Sequence, residues 1–166
     1  LTLSFQILSK ANSATLKVRI MSDLSPRLTA ITLGVHDVAT SVRFYESLGF
    51  VRKMRHTGDE IAFFDAGGVI LALYRWKDLA ADAKLAAEPA PAAFRGVTLA
   101  WNRASPQEVD QGMARALKAG ATLLKPAQKT DYGGYGGYFA DPDGHAWEVV
   151  DAGFSFATDG RLVLPD

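Results

Sequence analysis

The segment "LTAITLGVHDVATSVRFYESLGF", residues 28–50, sets the pattern for the rest of the chain. Its first part alternates: Ile31, Leu33 and Val35 fall on one side, and Ala30, Thr32 and Gly34 on the other, as in a strand with one buried face. The period then changes. Asp37 suits a helix N-cap, Val38, Val42 and Tyr45 share one helical face, and Gly49 suits the C-cap. Three strand-like runs follow, "FVRKMRH" (50–56), "EIAFFDA" (60–66) and "VILALYRW" (69–76). Turns at Thr57-Gly58-Asp59 and Gly67-Gly68 separate them, so the order is β-α-β-β-β.

The same order recurs. "RGVTLAWN" (95–102) reads as a strand. "SPQEVDQGMARALKAG" (105–120) is a marked helix: Ser105 is the N-cap, Pro106 the first position, and Glu108 closes a capping box. Val109, Met113 and Leu117 line its inner side and Gly120 ends it. "ATLLK" (121–125) is a strand, Pro126 opens a long loop, "YGGYGGYFAD" (132–141) leads into the next strand, and "HAWEVVD" (145–151) is the last. "ITLGV" (31–35) matches "VTLAW" (97–101), and Gly68 and Gly144 each precede a module's final strand. The reading is an α+β protein of two tandem β-α-β-β-β modules. They form a curved mixed sheet around a cleft, with the helices outside.

The modules span 27–76 and 95–152. Residues 77–94 form an Ala- and Pro-rich linker with room for one short helix in "KDLAADAKLAAE", and 153–166 form a tail. Residues 1–26 read as an extension: Met21 followed by "SDLSPRL" resembles a natural start. The first twenty residues hold Lys10, Lys17 and Arg19 without an acid, a bias shared with targeting segments, and could also add a strand.

Eighteen basic and eighteen acidic side chains cancel, which argues against nucleic-acid binding. With no cysteine there is neither a disulfide nor a thiolate zinc site. No apolar run approaches the roughly 20 residues of a membrane span, and the expected location is the cytoplasm.

The chemistry concentrates in "YFADPDGHAWEVV" (138–150), where His145 and Glu148 stand three apart. "DPDG" marks a turn and "HAWEVV" a strand, on which residues three apart face opposite ways. The pair therefore does not chelate one ion together. Partners for Glu148 must come from other strands.

The two runs "ITLGVHDVATSVRFYESLGF" and "GGYFADPDGHAWEV" (136–149), with the duplicated order, resemble the vicinal oxygen chelate superfamily. It contains glyoxalase I, extradiol dioxygenases and bleomycin-resistance proteins. In its metal enzymes, four positions on the first and last strands of the modules hold a divalent ion. Carried over, they fall on Ala30, Ala72, Gly96 and Glu148, of which only Glu148 has a donor atom. The resemblance also implies a homodimer.

Strand parity places Thr32, Ala72, Tyr74, Trp76, Thr98, Ala100 and Asn102 on the face of Glu148. Leu33, Val35, Leu71, Leu73, Val97, Leu99, Trp101, Trp147 and Val149 take the helix-packed face. With Tyr135 and Tyr138 from the glycine-rich segment, the candidate cleft is Thr32, Tyr74, Trp76, Thr98, Asn102, Tyr135, Tyr138 and Glu148. Glu148 is either a carboxylate paired within the groove or a ligand-facing anion or general base. "TDYGGYGGYF" (130–139) reads as a mobile aromatic rim, or else as a bulged strand edge, and lacks the features of a phosphate loop. His36 belongs to the helix-cap region and His56 to an exposed turn.

Three functions are compatible. The first is a binding protein for a small organic molecule, without metal or other cofactor. The second is a lyase or dioxygenase with an atypical metal site built from Glu148 and a donor such as His36 or Tyr74. The third is a structural or interaction module without chemistry.

Overall fold

The computed structural model describes residues 28–87 and 94–164; the expectations for residues 1–26 lie outside them. The first module runs β1 (Ala30–Val35), α1 (Val38–Leu48), β2 (Val51–Lys53), β3 (Ile61–Asp65) and β4 (Ile70–Arg75). The second runs β5 (Thr98–Asn102), α3 (Pro106–Lys118), β6 (Thr122–Lys129), β7 (Tyr135–Ala140) and β8 (Ala146–Asp151). A short helix α2 (Trp76–Asp82) follows the first module. The tail adds a hairpin, β9 (Ser155–Phe156) and β10 (Leu162–Val163), which the sequence reading did not foresee.

The helix boundaries follow their caps. The Asp37 carboxylate accepts the Thr40 N–H at 2.5 Å, and Gly49 closes α1 at φ 100°, where a Cβ would be strained. Ser105 accepts the Glu108 N–H at 3.3 Å, and Pro106 follows at the first position. The buried side of α3 is Val109, Gly112, Met113 and Ala116, whereas the expected Leu117 is 40% exposed. Val149 and Trp101 press on Gly112, so α3 sits too close to the sheet there for a larger side chain.

The strands form two four-stranded mixed sheets, β1-β4-β3-β2 and β5-β8-β7-β6, and no pairing between them occurs among the described residues. The single curved sheet expected from sequence is thus two sheets. In each, the first and last strands run parallel and the rest antiparallel. The α+β class and the two modules are as expected.

Three boundaries differ from the sequence reading. The strand "VILALYRW" stops at Arg75, and Trp76 begins α2. β5 starts at Thr98, because Gly96 adopts φ 80° and leaves extended geometry; Val97, expected on the helix side, is 61% exposed. The loop expected after Pro126 is strand: β6 continues to Lys129. Pro126 is tolerated because β6 is an edge strand and its register with β7 shifts on both sides of the proline.

The apolar faces of both sheets meet α1 and α3 in one core. Tyr45 of α1 lies 6.0 Å from Trp147 of β8, and Phe44 lies 6.3 Å from Phe139 of β7. Tyr45, Phe64 and Phe139 are fully buried, and each contributes roughly 1.5–3 kcal/mol by leaving water. Polar contacts also join the modules. The "DPDG" turn sends Asp141 to the Tyr45 hydroxyl at 2.6 Å and Asp143 to the Ser41 hydroxyl at 2.6 Å and the His36 N–H at 2.7 Å. The other face of each sheet carries exposed residues, among them Thr32, Thr98 and Ala100.

Candidate functional site

Glu148 lies mid-strand in β8, half-buried, with Ala100 of β5 on one side and Tyr138 of β7 on the other. Tyr138 donates its hydroxyl to Glu148 Oε1 at 2.5 Å. That bond, with burial second, pushes the phenol up to about 12. The Lys125 ammonium of β6 lies 5.9 Å from the Tyr138 ring centroid. Thr98 and Asn102 flank Ala100 at period two, so they share this face. The second sheet thus gathers four of the expected residues: Thr98, Asn102, Tyr138 and Glu148.

The other four are elsewhere. Thr32 and Tyr74 belong to the first sheet, paired with Ala72 and Gly34 respectively. Burial, then Asp78, raises the Tyr74 phenol. Trp76 is not on a strand. It lies over Gly34, where a Cβ would come within 2.9 Å of its Cε3, and it stacks on His36 at 6.0 Å beneath the Arg95 guanidinium at 5.1 Å. Tyr135 is on the opposite face of β7, beside the core, and donates to Asp110 of α3 at 2.9 Å.

Most of the glycine-rich segment is strand, and residues 130–134 form the turn before it. Residues 135–140 form β7, between β6 and β8. A Cβ on Gly137 would stand 2.8 Å from the Ala127 N and 2.9 Å from the Lys125 O, so glycine is required by the close passage of bulged β6.

His145 and Glu148 have separate partners, as strand parity requires. The His145 ring contacts the Gly34 carbonyl at 2.9 Å through Nε2 and Arg95 at 3.1 Å through Nδ1. An arginine only donates, so Nδ1 accepts and Nε2 carries the proton. His36 reaches Asp143 at 2.9 Å. Neither histidine is a partner of Glu148.

Register also corrects the internal match of the modules. Glu148 pairs with Ala100 and Ala146 with Thr98; Ala72 pairs with Thr32 and Ile70 with Ala30. Setting Glu148 on Ala72 therefore sets Thr98, not Gly96, on Ala30. The first strands slide by two residues relative to their sequence match. Thr98 adds one neutral hydroxyl and no carboxylate or imidazole. Among the described residues, no group of three or more His, Asp or Glu side chains could hold an ion.

The carboxylates that sequence reading missed are in the "DPDG" turn. Asp141 is only 3% exposed. It accepts the Tyr45 hydroxyl and the N–H groups of Asp143 and His145 at 2.9 and 2.8 Å. Burial pushes its carboxyl above the usual range, and these bonds draw it partly back. The turn was legible; the destination of its side chains, across about a hundred residues, was not.

The sequence profile of the Glyoxalase/Bleomycin resistance protein/Dioxygenase superfamily matches residues 27–149. The chain belongs to that superfamily. A glyoxalase-related enzyme from Fulvimarina pelagi is 34% identical, with 84% of this chain and 99% of that one covered and a TM-score of 0.76. A glyoxalase/bleomycin resistance protein/dioxygenase from Nocardioides is 29% identical, covering 79% and 86%, at TM-score 0.64. A family enzyme from Burkholderia phytofirmans shares the fold at 20% identity and TM-score 0.67, with 76% and 98% covered. Of the four positions carried over from the superfamily's metal enzymes, only Glu148 brings a carboxylate. Ala30, Ala72 and Gly96 lack donors, and the register-matched Thr98 offers only a hydroxyl. No helix among the described residues is long and apolar enough to cross a membrane.

Proposed function

We propose that this chain is a cytoplasmic small-molecule binding protein of the superfamily, acting as a homodimer without metal or other cofactor. The observation that carries the reading is the Tyr138–Glu148 pair, a carboxylate whose hydrogen-bond partner is a phenol from the neighbouring strand β7. Around it, Thr98, Asn102 and the small side chain of Ala100 leave room and hydrogen-bonding groups for an organic molecule. A cationic or hydroxyl-bearing group suits the carboxylate.

Two features support the dimer. β1 and β5 are edge strands, each with one side unpaired among the described residues. The Thr32–Tyr74 and Glu148 faces belong to separate sheets, so a second copy could set one beside the other.

The deciding experiment is metal analysis of untagged protein purified without chelator, wild type against Glu148→Ala. No metal in either, with wild type sedimenting as a dimer, supports the proposal. Near-stoichiometric metal lost in the variant overturns it. The relationship to the Fulvimarina pelagi enzyme favours one second reading, in which this face performs chemistry with Tyr138 and Glu148. Turnover abolished by Tyr138→Phe in metal-free protein would establish that reading.

A further inference from the structure

Behind the Glu148 face, on the helix side of the sheets, is a groove of about 960 Å³. Ile31 and Leu71 come to it from the first sheet, Leu99, Trp101 and Trp147 from the second, and Phe156 from the tail hairpin. It adjoins the site proposed above at Ala100 and Asn102, but Thr98, Tyr138 and Glu148 are not among its lining residues. Its walls are largely apolar and aromatic, and its size is that of a small-molecule site.

Charge at the groove is uneven. Three cations, Lys53, Arg103 and Arg161, face two carboxylates, Asp65 and Glu108. Arg103 is taken by Glu108 at 2.6 Å, and Arg161 by Asp159 at 2.7 Å. Asp65 accepts the N–H of Gly67 in its own turn at 3.0 Å. Lys53 has no ion pair among the described residues. The groove therefore offers an apolar wall, with the Arg103 guanidinium over the Trp101 ring at 5.4 Å, and one cation free to meet an anion.

We propose that this groove is a second ligand site, which takes a flat aromatic carboxylate. The ring system lies along the apolar wall of Ile31, Leu71 and Leu99, beside Trp101 and the exposed edge of Trp147, and the carboxylate meets Lys53. The site shares Ala100 and Asn102 with the Glu148 face and does not use the Tyr138–Glu148 pair.

The chain's three tryptophans provide the test, because Trp101 and Trp147 line the groove and Trp76 does not. The full chain is titrated with 2-naphthoate and the indole N–H resonances are followed. The signals of Trp101 and Trp147 should shift saturably while that of Trp76 stays. Lys53→Gln should weaken binding about fivefold, as for one partly exposed ion pair. Phe156→Ala should weaken it too, and Glu148→Gln should leave it unchanged. The neutral 2-naphthalenemethanol should bind less tightly than the acid. Equal affinity for acid and alcohol overturns the role of Lys53. A shift centred on Trp76, or no saturation by about 5 mM, a concentration above the millimolar weak limit, overturns the site.

Discussion

A tyrosine hydroxyl 2.5 Å from a carboxylate oxygen is a strong, charge-assisted bond, and it fixes what Glu148 and Tyr138 can do. The phenol holds its proton to about 12 rather than 10.0, first because ionising it would end the bond it donates to Glu148, then because of its burial, and then because two anions would stand together. The folded chain grips that proton more tightly than the unfolded chain does. The bond's contribution to stability is therefore whole below 10.0 and fades as pH rises through about 12. Glu148→Gln should lower the Tyr138 pKa toward 10.0, read from phenolate ultraviolet absorbance. Asp141 is the other decisive residue. Asp141→Ala leaves the Tyr45 hydroxyl and two backbone N–H groups without their acceptor, and should cost about 3 kcal/mol in urea unfolding. Asp141→Asn keeps an acceptor and should cost less. Because burial raises the Asp141 carboxyl, its ionisation lowers stability as pH climbs above 3.8 through the shifted range. The Asn variant should lack that slope, which the same unfolding measurements across pH would show. Little of this was legible in sequence. Parity put Glu148 on a polar face, but the partners of Tyr138 and Asp141 depend on strand order and long-range packing.

At the scale of elements, the alternating strands read most directly. Leu33, Val35, Leu71, Leu73, Trp147 and Val149 are buried on the helix side as alternation requires. Helix caps were equally plain at Asp37 and Ser105. The misreadings came where glycine and proline serve a strand instead of ending it. Pro126 sits on an edge, and Gly136 and Gly137 make room for a neighbouring backbone. Gly96 misled the other way, since its φ of 80° ends the extended run that its neighbours suggested. Two outcomes follow for β7. Its amides at 135–140 should exchange slowly with deuterium, as in an inner strand, rather than at the rate of an open loop. Gly137→Ala should destabilise by about 2 kcal/mol in thermal or urea unfolding, because the added carbon meets backbone atoms that cannot rotate away.

At the scale of the whole molecule, the tandem repeat conceals a division of labour. The modules match in strand order and topology but not in chemistry. The second has the carboxylate–phenol pair on its free face, whereas the first has Ala72 and Phe63 at the matched places. The expectation that all eight candidate residues share one cleft required one continuous sheet, and the chain has two.

The "DPDG" turn bears on how the chain can be made. Asp143 receives the His36 N–H and the Ser41 hydroxyl at the start of α1, and Asp141 receives Tyr45 two turns later. During synthesis, the first module leaves the ribosome before those carboxylates exist, so α1 waits with its polar groups in water and with Phe44 and Tyr45 lacking Phe139 and Trp147. Although duplicated, the halves are therefore not separable parts. A fragment of residues 28–87 should show little cooperative thermal unfolding by circular dichroism. Mixing it with residues 94–164 should restore the transition.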